Sequence, residues 1–344
     1  MADRLTFGSI CSGIEAASVA LEPVGFRAAW LAESAPFPSS VLAHRLPGVP
    51  NLGDITRIDT ASLDRVDLII GGTPCQSFSV AGLRQGLSDE RGSVTLHFAR
   101  IVRDLRPPWV LWENVPGALS SSGGRDFAAL LGALAGCGYN LAWRVLDARG
   151  FGLPQRRRRL YLAGVLGPAT GPESVLAYPD SPGWHPSQAG GEGADDGEHR
   201  ACANRGVTYW DGSQVTQCLD AVLHKGQALP EKRRFPAVMT PSWQECGCCG
   251  EMWCNICAEH VGDCECQPLE NDDDLMRAYG PSMLRYLTPT ECERLQGFPA
   301  GWTDVPGASK SKRLHAVGNS MAVPVIRHIG QRIAERLGAA WSPV

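Results

Sequence analysis

The chain has 344 residues, of which 44% are hydrophobic and 20% charged, a balance that supports two domains with a sizeable core and excludes disorder throughout. The formal net charge of -4 divides unevenly: about +3 over residues 1 to 165, -11 over 166 to 284 and +4 over 285 to 344, which excludes a broad basic field. No stretch reaches about 18 uninterrupted apolar residues and no basic segment leads into an apolar one at the N-terminus, so a membrane partner is not expected and a cytoplasmic location is.

From the start, apolar runs alternate with amphipathic ones. "LTFGSI" is followed by "IEAASVALEPVG", "FRAAWLAE" by "FPSSVLAHRL", and "VDLIIGG" by "SVTLHFARIVRDL". In the last of these Val94, Phe98, Ile101 and Leu105 recur at helical spacing, and Pro107 and Pro108 end the helix. A strand "WVLWENV", a helix "RDFAALLGALAGCG", a strand "YNLAWRVLDA" and a further strand around "RRLYLAGV" complete the pattern. Such alternation predicts an α/β architecture, a doubly wound parallel sheet covered on both faces. After Val165 a Gly, Pro, Ser and acid-rich stretch reads as a connector, and residues 201 to 284 carry short mixed elements. Periodicity returns in "LTPTECERLQGF" and in "PVIRHIGQRIAERL", where Ile326, Ile329, Ile333 and Leu337 share one stripe and Pro324 suits a helix start. The resulting division is 1–165, 166–284 and 285–344.

Polar residues collect at the predicted strand ends. Ser12 and Gly13 lie where the first strand turns into a helix, Glu33 ends the second strand, and Asp54 and Ile55 follow the next element. A carboxylate about twenty residues beyond the first turn is where doubly wound folds hold a ribose, although each carboxylate taken singly also reads as solvated surface. In "GGTPCQSF" Pro74 precedes Cys75 just past a strand, with no C-x-x-C spacing to suggest redox chemistry. "WVLWENV" delivers Glu113 to the same edge, so a thiol and a carboxyl group can serve as nucleophile and proton donor. In "PQRRRRL" strand alternation puts Gln155, Arg157 and Arg159 on one face and Arg156 and Arg158 on the other.

Seven of the 13 cysteines lie between Cys246 and Cys266. Cys246 with Cys249, and Cys254 with Cys257, have the knuckle spacing of tetrahedral zinc, and His260, Cys264 and Cys266 follow. Structural zinc is the expectation from this set, which leaves open which four residues bind. Lys232, Arg233 and Arg234 read equally as a DNA contact or as a solvated charge run.

In this order, "GGTPCQSFSVAG", "GLSDERG", "ENV", "GLPQRRRRLY", "LTPTECERLQGFP" and "GNSMAVPV" resemble the DNA cytosine-5 methyltransferase family. The resemblance implies a Rossmann-like, S-adenosylmethionine-dependent methyltransferase sheet with a smaller, irregular target-recognition domain at about Leu166 to Leu284. It implies Cys75 as nucleophile, Glu113 as the acid at the cytosine ring nitrogen, and Arg157 and Arg159 as residues that hold the base. It further assigns Ser12, Gly13, Ile14, Glu33, Asp54, Ile55, Pro74, Asn319 and Ser320 to the cofactor side, with Asn319 supporting the proline-cysteine loop. The chain departs from the family where the usual aspartate, aromatic and second glycine of the first motif are Ser9, Cys11 and Glu15, and where Ser34 replaces an aromatic. The implied partner is double-stranded DNA read by a monomeric, nucleoid-associated chain of a bacterial or phage-infected cell. A cognate restriction endonuclease, phage self-protection and a stand-alone role remain open. A transfer-RNA methyltransferase and a catalytically silent relative are the competing readings, the second opposed by the retention of Cys75, Glu113, Arg157 and Arg159 together.

Overall fold

The computed structural model describes residues 4–74, 94–167, 171–179 and 287–338 and, between the last two, the main chain of six short strands. One six-stranded sheet has the order β2-β1-β3-β4-β6-β5. Its strands are β1 (Leu5–Ile10), β2 (Phe26–Ala32), β3 (Leu68–Gly71), β4 (Trp109–Asn114), β5 (Tyr139–Asp147) and β6 (Arg158–Leu166). The described helices are α1 (Ala16–Leu21), α2 (Pro36–Arg45), α3 (Val94–Leu105), α4 (Arg125–Gly136), α5 (Pro172–Val175), α6 (Pro289–Gln296), α7 (Lys310–Asn319) and α8 (Val323–Arg336).

Each central strand is apolar on both sides, which is why the sheet is covered twice. Phe7, Leu68, Ile70, Leu111, Tyr161 and Ala163 face one core with α1 and α8, while Ile10, Ile69, Val110, Trp112 and Leu160 face a second core with α3 and α4. The stripe read on α8 is buried: Ile326, Ile329 and Ile333 have no exposed surface, each worth about 2 kcal/mol of burial. Among the described residues no helix is long and apolar enough to cross a membrane.

The sheet differs from the sequence expectation in one strand. β1 pairs in parallel with β2 and β3, and β3 with β4, but β6 is antiparallel to both of its neighbours, β4 and β5. Between β5 and β6 the chain has only residues 148–157, with a single tight turn at Ala148–Phe151, too short for the crossover that a parallel pair requires. The reversal brings the start of β6 to the carboxyl end of β4, with Asn114 opposite Leu160.

The supposed connector is also partly packed. Val175 and Leu176 are buried against the sheet, the Tyr178 hydroxyl accepts from Asp147 N at 2.9 Å, and Arg332 of α8 donates to Ser174 O at 2.5 Å. The structured part of the first segment therefore continues past residue 165, because its few apolar residues find the sheet despite their Gly and Pro-rich surroundings. Two small sheets follow: β7 (Tyr209–Trp210), β8 (Ala237–Met239) and β12 (Leu284–Tyr286) form one, and β9 (Trp243–Glu245), β10 (Met252–Cys254) and β11 (Glu259–His260) the other.

Candidate active site

At the carboxyl edge, the turn between β1 and α1 is held by side chains on both flanks. The Ser12 hydroxyl donates to Ser9 O at 3.0 Å and accepts from Ala32 N at 3.1 Å, so it ties the ends of β1 and β2 together. Gly13, in the left-handed region at φ 58° and open on its Cβ side, donates its N–H to Glu33 Oε2 at 2.8 Å. Glu33 Oε1 accepts from Ala35 N at 2.7 Å. Asp54 caps the turn Ile55–Arg57 through Thr56 N at 2.9 Å, and that bond is the main reason its carboxyl sits below the usual range. Cys11 lies close enough to Glu33 and Asp54 that both reinforce the burial that pushes its thiol up to about 12. A neutral thiol, two carboxyl groups and an open glycine thus converge over the ends of β1 and β2 and the turn capped by Asp54. This set fits the hydroxyls and amines of a nucleoside, and Glu33 and Asp54 are the residues able to hold them. The side chains of Ile14 and Ile55 are packed in the two cores, which leaves only their main chain free of core packing.

Beside it lies the second half of the site. Glu113 at the end of β4 is 8% exposed and pairs with Arg159 Nε at 3.3 Å. Burial raises its pKa, opposed by Arg159 and then Arg157, so the protonated acid is favoured more than for a free carboxyl. Gly72 leads towards it on the neighbouring strand: a Cβ there would stand 3.2 Å from Glu113 Oε2 and 3.3 Å from Met321 Cε. The next residue, Thr73, is gripped at two points by β4, its carbonyl accepting from Asn114 Nδ2 at 2.9 Å and its hydroxyl from Trp112 Nε1 at 3.0 Å. The chain is therefore fixed up to Pro74, which is exposed. Cys75, the next residue, lies outside the described residues.

Burial alternates over the arginine run even though β6 begins only at Arg158: Gln155 and Arg157 are buried, Arg156 is half-buried and Arg158 exposed. Arg157 donates through Nη2 to Gly318 O at 3.0 Å and Ser320 O at 2.6 Å. Gln296 Nε2 reaches the same Ser320 carbonyl at 2.7 Å, and Gln155 Nε2 donates to Gln296 Oε1 at 2.9 Å. Asn319 and Ser320 are thereby placed with Arg157. The Asn319 side chain is exposed, with its Nδ2 3.4 Å from His315 Nε2.

Sequence reasoning missed how the last segment reaches the turn after β1. Glu293 of α6 is fully buried, accepts from Gly301 N at 2.6 Å and Thr303 N at 3.0 Å, and pairs with Arg313 of α7 at 3.1 Å. This fixes the loop that carries Trp302, whose Nε1 donates to Ile14 O at 2.7 Å. Arg45 of α2 lies over the Trp302 ring at 5.5 Å and donates to its carbonyl at 2.8 Å. No local pattern marks Trp302, since its partners Ile14 and Arg45 are more than two hundred and fifty positions away.

Of the cysteine-rich set, Cys254 and His260 fall on adjacent strands, where Cys254 pairs with Glu259 and Trp253 with His260. Cys246, Cys249, Cys257, Cys264 and Cys266 lie outside the described residues, as do Lys232, Arg233 and Arg234. Among the described residues no group of three metal-ligating side chains is present.

A model of the family described as C-5 cytosine-specific DNA methylase matches residues 5–179 and 247–335. The chain is 30% identical to a DNA N-6-adenine-methyltransferase of Escherichia phage P1, an alignment covering 96% of this chain and 61% of the relative. It is 28% identical to the Type II methyltransferase M.SsoII of Shigella sonnei, covering 83% of this chain and 68% of that one. The chain thus spans roughly three fifths to two thirds of the length of these relatives. The crystal structure of S. pombe Dnmt2 methyltransferase superposes with a TM-score of 0.68 at 18% identity, covering 97% of this chain and 99% of that one, a likeness of fold.

Proposed function

Since this chain belongs to the C-5 cytosine-specific DNA methylase family, we propose that it transfers a methyl group from S-adenosylmethionine to C5 of cytosine within a specific double-stranded DNA sequence. The observation that carries the reading is Glu113, buried between Arg159 and Gly72 with its acid form favoured, one residue pair away from the fixed chain that leads into Cys75. Cytosine C6 is a weak electrophile, so addition of the Cys75 thiolate needs a proton at N3, which Glu113 supplies. The electron pair then released towards C5 would take up the methyl group of a bound sulfonium cofactor, whose methyl carbon–sulfur bond would break to leave a neutral thioether. Loss of the C5 proton to a base or water expels Cys75 and returns the N3 proton to Glu113. In a duplex the target ring is stacked, so the base is turned out of the helix to meet these groups. Arg159 orients the Glu113 carboxyl, and Arg157 holds the segment Gly318 to Ser320 in place through its carbonyls. Glu33, Asp54 and the Gly13 main chain would hold the cofactor, which supplies an electrophilic methyl on a sulfonium.

The test is bisulfite sequencing and nucleoside mass spectrometry of DNA from a methylation-deficient host. The intact chain is expected to produce 5-methylcytosine and Cys75→Ser none. N6-methyladenine in place of 5-methylcytosine would refute the reading, and methylation by Cys75→Ser would refute the covalent route. Structural zinc on the cysteine-rich segment belongs to the same proposal, supported by the C-x-x-C spacings and by Cys254 and His260 on paired strands. Metal analysis of protein purified without chelator is expected to find zinc, and its absence would remove that part.

A further inference from the structure

Two of the departures from the family pattern touch each other. Ser9, where an aspartate is usual, donates its hydroxyl to Glu15 Oε2 at 2.9 Å, and Glu15 stands where a glycine is usual. The other carboxyl oxygen, Glu15 Oε1, accepts from Ser18 N at 2.9 Å and from the Ser18 hydroxyl at 3.2 Å. Ser9 and Ser18 are 1% exposed and Glu15 not at all, so this is a closed polar unit inside the fold. Its backbone is costly: Glu15 has φ 65° and Cys11 φ 51°, left-handed values that glycine adopts freely and other residues do not. A glycine at 15 would remove that strain, and the chain has instead placed a carboxyl group there. The three hydrogen bonds are what offsets it.

We propose that Ser9 and Glu15 form one positioning unit for the cofactor turn, the carboxyl group having moved from the end of β1 to the start of α1, where it ties strand to helix and so sets the main chain of Ser12, Gly13 and Ile14. The inference rests on the reading of that turn as the S-adenosylmethionine site. Its geometry is direct: Glu15 closes the far side of a five-residue turn whose near side is Ser9 and whose half-buried crest is Gly13, donating to Glu33. Returning only one residue to the usual type breaks the unit. Ser9→Asp sets two carboxyl groups in contact in a buried space, and Glu15→Gly leaves the Ser9 hydroxyl and Ser18 N without their acceptor. Returning both restores one carboxyl group, now on the strand, and relieves the backbone at 15.

The experiment titrates S-adenosylhomocysteine calorimetrically into the full chain and its variants Ser9→Asp, Glu15→Gly, Glu15→Gln and Ser9→Asp/Glu15→Gly, with melting followed alongside. Each of the first two is expected to weaken binding by about tenfold or more, the size of one or two net hydrogen bonds, and the double variant to return to within about threefold of the parent. Glu15→Gln, which keeps an acceptor for Ser18 N in the same volume, is expected to bind within about fivefold and holds the test open should Glu15→Gly not fold. In turnover the single variants are expected to raise KM for S-adenosylmethionine with kcat preserved, a split that general loss of structure would not produce. Losses that add in the double variant, or single variants that bind as the parent does, would overturn the inference while leaving the cofactor site in place. A parent chain that binds no S-adenosylhomocysteine would overturn the cofactor reading itself.

Discussion

Glu15→Gln should make the protein more stable relative to its parent as pH rises. Burial pushes the Glu15 carboxyl from 4.5 to about 7, against the opposing bonds from Ser9 and Ser18 and with a small push from Glu22. Between those two values the folded chain keeps a proton that the unfolded chain has released, so the parent loses stability as pH climbs from about 4.5 to 7 and stays at that lower level above. At about 1.4 kcal/mol for each pH unit between the two values, the loss amounts to roughly 3 kcal/mol. Gln cannot ionise and escapes it. The whole protein also titrates elsewhere, so the quantity to measure is the difference between variant and parent, from urea unfolding at about pH 5, 6, 7 and 8. That difference should move in favour of the variant by about 2 to 3 kcal/mol across the series and level off near pH 8. A difference flat to within about 0.5 kcal/mol would show that Glu15 is not held in a site that opposes its charge.

Gly72→Ala should fold and bind S-adenosylhomocysteine as the parent does, yet turn over about tenfold more slowly, since Met321 can yield to the new methyl while Glu113, held by Arg159, must shift by a few tenths of an ångström. Steady-state kinetics beside a melting curve separate the two, and an unchanged kcat would refute it. Trp302→Phe removes the N–H that caps Ile14 O and should cost about 1 kcal/mol of stability together with a several-fold weaker affinity for S-adenosylhomocysteine. Loss of stability without loss of affinity would mean that the return segment only packs on the cofactor turn.

Local pattern carried a large part of this protein. Alternating apolar runs specify strands and helices because a sheet covered on both faces must be apolar on both sides, and the strand ends then announce where polar chemistry collects. Glu113, Glu33 and the buried and exposed alternation of Gln155, Arg156, Arg157 and Arg158 were legible for that reason. The direction of β6 was not, and it decides the site: in a parallel strand Arg159 would stand at the edge opposite Glu113, whereas the reversed strand sets it 3.3 Å away. Strand direction depends on what the connection can span, a property of the assembled sheet and not of the residues within the strand. The same holds for the grip of Trp302 on Ile14 and of Arg157 on Gly318 and Ser320, where the partners are remote in sequence and only packing brings them together. Ser9 and Glu15 stand between these cases. Both were visible as departures from a family pattern, but only the fold puts the hydroxyl on the carboxyl group, because the left-handed turn between them folds position 15 back onto the strand end.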